Sequence, residues 1–205
     1  MITNTDTDTN TNTDTDKYFN EAVNLTMKFE VNSFFDPSDP DVQKGLIDTP
    51  TMRKKVGYVN HPNDPGGITK FGIAQNFTTV DVQSITYDQA KKIYYDLYWV
   101  RFRAAEIPYP LNLVYFDSTV NHRPAMACTM LQRAVKTTPD GKFGPLTLYS
   151  CFDVDPLAAS YELLDHRDDF YQRLVKKRPY QFGVFLKGWL NRTKLIREYL
   201  DQSVV

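Results

Sequence analysis

From Lys17 onward, apolar positions recur mostly at helical spacing. Asp16 is a suitable N-cap, and Phe19, Ala22, Val23, Thr26, Met27 and Phe29 then fall three and four apart. The pattern predicts a helix ending at Glu30, with that carboxyl next to the face the apolar residues bury. Thr86 with Gln89 forms a capping box ahead of a stripe made by Ala90, Ile93, Tyr94, Leu97 and Tyr98. Further helices are predicted over about 111–120, from Pro124 at a first-turn position to 135, and from Pro145. Two longer ones follow, over about 156–177 and 182–201.

Two stretches break the periodicity. FFDPSDPDVQKGLIDTP, within 32–55, is rich in Pro and Asp and reads as a long surface loop with one turn of helix at most. GYVNHPNDPGGITKFGI, residues 57–73, holds four of the nine glycines. Such density implies tight turns and positive backbone angles. The flanking Tyr58, Val59, Ile68, Phe71 and Ile73 suggest a short β-hairpin. The fold class expected is mainly α (α+β): helices around one small hairpin, without βαβ units or internal repeats.

The first sixteen residues, MITNTDTDTNTNTDTD, are Thr, Asp and Asn with Ile2 as the only large aliphatic after Met1, and are read as a disordered tail, 1–16. The tract also reinterprets the net charge of −1: four acidic residues lie in it, so the body from Lys17 carries 24 basic against 21 acidic residues. Residues 176–197 contain seven Lys and Arg and no acid. They read either as a solvated helix face or as a surface drawn to an anionic bacterial envelope. With 41% apolar and 24% charged residues in 205, the chain is that of a single globular domain with its own core. A near-neutral sum lends nucleic-acid binding no support, and a monomer is expected. No apolar run reaches membrane-spanning length and the N-terminus lacks a secretory pattern, so synthesis in the cytoplasm without a signal peptide is expected.

Several chemistries lack their residues. His61, His122 and His166 are far apart and outside any H-E-x-x-H arrangement, and the two cysteines, Cys128 and Cys151, match no zinc spacing. No metal and no cofactor are expected. There is no G-x-S-x-G elbow, and GGITK lacks phosphate-loop spacing. A carboxylate reading remains. Glu30 borders the hairpin, where Phe29 and its neighbours desolvate the carboxyl toward general-acid behaviour, and Asp64 and Thr69 stand where a water would be held. That is a minimal kit for glycosidic cleavage. From the residues alone the alternative stays open, with Glu30 a helix-end charge and Asp64 an Asx-turn residue before Pro65.

Longer motifs decide between them. GYVNHPNDPGGITKFGI reproduces nearly all of V-N-D-P-x-D-P-G-G-x-T-x-x-G-I, which follows a helix ending in E-G-G-Y in the glycoside hydrolase family 108 muramidases, and the chain resembles that family of the lysozyme-like superfamily. TYDQAKKIYYDLYW, YFDSTVNHRP, LQRAV, DGKFGPLTL and FLKGWLNRTKLI resemble further landmarks in order, so the likeness covers everything after Lys17. Phage members of the family serve as endolysins.

The resemblance implies a lysozyme-like catalytic region over 17–123, with an insertion at about 31–56 between the catalytic Glu and the glycines. A helical region, 124–205, would resemble a peptidoglycan-binding segment packed in the same fold. It implies cleavage of the β-1,4 bond between N-acetylmuramic acid and N-acetylglucosamine, with peptidoglycan as partner and action in the periplasm or wall, or delivery inside a virion. Glu30 takes the catalytic role ahead of Asp36, Asp39, Asp41 and Asp48 of the insertion, and Asp64 and Thr69 match hairpin positions near the reacting sugar. Tyr58, Asn60, Asp117 and Asn121 are implied to line the groove, with Asp117 equally readable as a core pairing residue.

Overall fold

The structure is a computed structural model that describes residues 13–61 and 66–203. The first helix, α1 (Thr13–Glu30), ends at Glu30 as the spacing predicts. It begins at Thr13, so residues 13–16 of the expected disordered tail are helical, while residues 1–12 lie outside the described residues. Once Phe19, Ala22 and Val23 are anchored in the core, extending a nucleated helix by one turn is cheap.

The Pro- and Asp-rich stretch is not a surface loop. It folds into α2 (Pro40–Lys44) and α3 (Pro50–Lys55), and buries Phe35, Val42 and Val56. Pro40 and Pro50 sit at first helical positions. Asp39 accepts from the amides of Asp41 and Val42 as N-cap of α2, and Thr49 accepts from the Met52 amide as N-cap of α3. Gly45 ends α2 at φ +64°, where a Cβ would come 2.3 Å from the Ile85 carbonyl oxygen, so only glycine fits. Lys55 Nζ joins the two helices by ion pairs of 2.7 Å to Asp39 and 3.0 Å to Asp41. Asp39-Pro40 and Thr49-Pro50, which punctuate the sequence as turns, are here helix starts, while Asp36-Pro37 remains a turn.

The hairpin is short. β1 (Thr69–Lys70) runs antiparallel to β2 (Ile73–Ala74), pairing Thr69 with Ala74 and Lys70 with Ile73, and Val59 bridges Thr69 on the other side. Phe71 and Gly72 make the turn, both with positive φ (52° and 72°). A bulky residue pays conformational energy in that region, and here its surroundings fix it. The Phe71 amide donates to the Val56 carbonyl at 2.8 Å, and its carbonyl accepts from the Tyr94 hydroxyl at 3.1 Å.

α4 (Tyr87–Tyr94) starts at the predicted capping box, with both of its hydrogen bonds formed. It continues as a π-helical turn over Tyr95–Val100. The wider turn rotates the stripe, so Trp99 is fully buried and Leu97, expected inside, is 37% exposed. α5 (Leu111–Asn121) buries every residue from Leu111 to Thr119, as suits a helix apolar nearly all round. α1, α6 (Pro124–Ala134) and α8 (Pro156–Lys177) surround it. α7 (Pro145–Phe152) follows a turn that Gln132 organises, its side chain bonding Asp140, Gly141, Lys142 and Thr147. α9 (Pro179–Phe182) and a 3-10 turn (Gly183–Phe185) lead into α10 (Leu186–Ser203), which packs on α8. Among the described residues, no helix is long and apolar enough to cross a membrane.

Candidate active site

Glu30 is carried to the end of α1, 24% exposed at its side chain, and meets a cation that lies 162 residues away in sequence. Arg192 of α10 donates from Nη1 to Glu30 Oε1 at 2.7 Å. The same guanidinium donates from Nη2 to Asp117 Oδ1 at 2.7 Å and from Nε to both Asp117 oxygens at 3.2 and 3.1 Å. Its carbon lies 4.9 Å from the centroid of the Phe29 ring. Phe29 therefore supports the arginine, rather than only shielding Glu30 from water.

Asp117 is the anchor. It is completely buried in α5, where it accepts from Arg192, from Arg167 Nη1 of α8 at 2.8 Å and from Thr26 Oγ1 of α1 at 3.0 Å. Burial opposes its ionisation, but the Arg192 and Arg167 guanidiniums outweigh burial and hold the carboxyl well below the usual carboxylate range. The reciprocal field, chiefly Asp117 and then Glu30, overcomes burial and holds Arg192 even more firmly protonated. The pairing of Asp117 with the Arg192 and Arg167 guanidiniums is what lets its carboxylate be buried, and it leaves one positive charge facing Glu30. Asp117 is thus corrected from a groove-lining residue to the core pairing one, since a sealed carboxylate cannot reach a sugar.

The opposite wall is the hairpin turn. A Cβ on Gly72 would stand 2.9 Å from Glu30 Cβ and 2.8 Å from the Tyr94 hydroxyl oxygen, so the turn backbone lies directly on the Glu30 side chain. Burial and then the nearby Glu30 carboxylate raise the phenols of Tyr94 and Tyr98, which stay neutral donors at any working pH. Two depressions flank this point. One, of about 700 Å³, lies between α1 and α10 and is lined by Phe29, Ser33, Asn121, Trp189 and Arg192 among others. The other, of about 170 Å³, is lined by Gly72, Phe77, Ile93, Tyr94, Leu97 and Tyr98. Glu30 itself lines neither depression; it is tied to the first through its bond to Arg192 and to the second through its close approach to Gly72.

The remaining expected residues are placed unevenly. Asn121 ends α5 in the larger depression, and its Oδ1 accepts from the Tyr171 hydroxyl at 2.7 Å, which fixes the amide orientation. Thr69 opens β1, its backbone exchanging hydrogen bonds of 2.9 Å with Val59. Tyr58 donates to Gln83 Oε1 at 3.2 Å, and Asn60 is exposed. Neither of these two nor Thr69 lines either depression. Asp64 lies outside the described residues. The competing acids have structural work: Asp36 accepts from the Ser38 amide and hydroxyl, Asp39 caps α2, and Asp41 pairs with Lys55.

His122 is half-buried, with Nδ1 3.2 Å from the Ser118 carbonyl and its ring stacked on Tyr171. Burial, then Arg167, push it down to about 4. Burial pushes the Cys128 and Cys151 thiols up to about 11 and about 12, as befits apolar core residues. Among the described residues, no group of three or more His, Cys, Asp or Glu could hold a metal.

Sequence reasoning missed Arg192, Arg167, Gly72, Tyr94 and Trp189 as parts of the site. The available signal for two of them was GWLNRTKLI, quoted for its likeness but counted only as basic surface. Arg192 is in fact buried, and Arg197 is paired with Asp165 and Asp168 at 2.6 and 2.9 Å.

Residues 49–122 match the family model for glycosyl hydrolase 108, and residues 126–194 match that of a predicted peptidoglycan domain. Glu30 precedes the first matched span, and Arg192 lies in the second. The solved structure of SagA from Brucella abortus is similar at 29% identity and a TM-score of 0.56, covering 69% of this chain and 84% of that one. No curated protein matches the chain.

Proposed function

We propose that this chain, which matches the glycosyl hydrolase 108 model over residues 49–122 and a peptidoglycan-domain model over residues 126–194, is a peptidoglycan hydrolase of that family and an N-acetylmuramidase acting on the β-1,4 bond between N-acetylmuramic acid and N-acetylglucosamine, with Glu30 as its general acid. The observation that carries this is the arrangement around Glu30: one carboxyl oxygen held by a buried, Asp117-anchored arginine, with the other side against the hairpin turn. Arg192 engages Oε1 and so leaves Oε2 to carry the proton that passes to the leaving glycosidic oxygen. As the bond breaks, positive charge develops on the sugar ring, and the Glu30 carboxylate formed by that transfer lies beside it. Asn121, held by Tyr171, presents amide donors suited to hydroxyl or acetamido groups, and Trp189 lines the same depression.

Among the described residues, the carboxylate that shares Arg192 with Glu30, Asp117, is sealed by two arginines and is no nucleophile, which favours direct attack by water with inversion. Thr69 and Asp64 are the residues we assign to that water. We further assign the enzyme, on its resemblance to phage endolysins, to wall degradation in host lysis after synthesis in the host cytoplasm.

The test is clearing of purified Gram-negative peptidoglycan by wild type and Glu30→Gln, with mass spectrometry of the muropeptides. Wild type is expected to release reducing ends, and the variant to fall by at least about a hundredfold while melting normally. Anhydro ends would replace the hydrolase with a transglycosylase, and full activity in the variant would remove Glu30 from its role.

A further inference from the structure

Seven basic residues between Lys176 and Arg197 looked alike in sequence, but the fold divides them. Arg192 is buried in the site, Arg197 is paired with Asp165 and Asp168, and Lys194 with Glu198. Lys176, Lys177, Arg178 and Lys187 are exposed and in no ion pair among the described residues. All four lie at one corner, where α8 gives way to α9, the 3-10 turn and the start of α10.

The same corner carries side chains that a soluble surface usually hides. Tyr180 is 101% exposed, Val184 79% and Phe185 50%. A Cβ on Gly183 or Gly188 would meet nothing within 4 Å, so the backbone at both glycines faces open space. Apolar and aromatic tips among unpaired bases, with no acid in the sequence from Lys176 to Arg197 to repel an anionic surface, match a lipid interface better than a soluble polyanion. Charge draws the segment to anionic headgroups, and the tips enter the interfacial layer. A polyanion would use the bases and leave Tyr180 and Val184 unemployed.

We propose that the 176–187 corner docks on an anionic phospholipid bilayer through Lys176, Lys177, Arg178 and Lys187, with Tyr180 and Val184 inserted at the interface. Phe185 stacks on Trp189, its ring centroid 5.6 Å away, and Trp189 lines the larger depression, so a docked corner holds that depression next to the membrane. The proposal does not depend on the cleavage chemistry.

The experiment is co-sedimentation of the full chain with phosphatidylglycerol or phosphatidylcholine vesicles. Binding to the anionic vesicles alone is expected, weakening as salt rises. Lys176→Gln/Lys177→Gln/Arg178→Gln should cut partitioning more than tenfold, on the basis of roughly fivefold per base. Tyr180→Ser/Val184→Ser should cut it about tenfold. Both sets of variants should clear purified peptidoglycan within twofold of wild type, which separates this inference from the catalytic reading. Tyr180→Trp should shift its emission to the blue on vesicle binding. Equal binding to both vesicles, no blue shift, or full binding by Tyr180→Ser/Val184→Ser with complete competition by soluble polyphosphate would overturn the proposal. A matching loss of wall clearing in either set would overturn it too, by making the corner part of the glycan site.

Discussion

Asp117 and His122 both have ionisations displaced by the fold, and they act over different pH ranges. Asp117 is ionised in the folded chain far below its unfolded pKa near 4. Its contribution to stability is therefore present above about pH 4 and lost as pH falls toward the folded value. Asp117→Asn leaves Arg167 buried without its counter-charge and Arg192 with only Glu30, and is expected to cost about 3–5 kcal/mol at pH 7 by chemical denaturation. The difference from wild type should shrink between pH 4 and pH 2. His122 is neutral in the fold down to about pH 4, whereas the unfolded chain takes up its proton near 6.5. The unfolded state thus binds more protons between those values, and stability should fall as pH drops from 6.5 to 4, on the order of 3 kcal/mol in all. His122→Phe keeps the stacking on Tyr171 and should flatten that part of the stability profile.

At the scale of elements, the hairpin turn and the end of α1 form one device. Gly72 has positive φ and no space for a methyl group between Glu30 and Tyr94. Gly72→Ala is expected to lower wall clearing at least about tenfold, while the melting temperature falls by only a few degrees, since a displaced turn moves the acid before it unfolds the core. Activity near wild type would mean that the turn does not position Glu30. Much at this scale was legible in the sequence. The capping box at Thr86 and Gln89, the end of α1 and the prolines that start α6, α7 and α8 are local chemistry, and the fold keeps them. α2 and α3 were not legible because Asp-Pro and Thr-Pro mark turns and helix starts alike, and only burial of Val42 and Val56 selects the latter. Leu97 left the buried stripe because a π turn changes the angular step that the periodicity assumes.

Across the whole molecule, the two matched family regions share one buried ion cluster. Arg192 and Arg167 belong to the span matching a peptidoglycan domain, and Asp117 to the span matching the hydrolase. They are not independent modules on a tether. A chain ending at residue 125 leaves Asp117 without either guanidinium, and is expected to lack a cooperative thermal transition and to clear no peptidoglycan. A folded, active fragment would show that the second region is dispensable.

Sequence alone determined the helical class, the position of the hairpin, the end of α1 at Glu30 and, through motif spacing, the likeness to glycoside hydrolase family 108. These depend on interactions within a few residues or on a long motif read directly from the chain. Tertiary structure decided what surrounds Glu30. The arginine on its carboxyl, the aspartate that holds that arginine and the glycine against its Cβ come from segments 162, 87 and 42 residues away. No local pattern separates Arg192 from the exposed bases near it. Only the buried carboxylate it must neutralise does so, and that carboxylate becomes its neighbour only when α1, α5 and α10 pack.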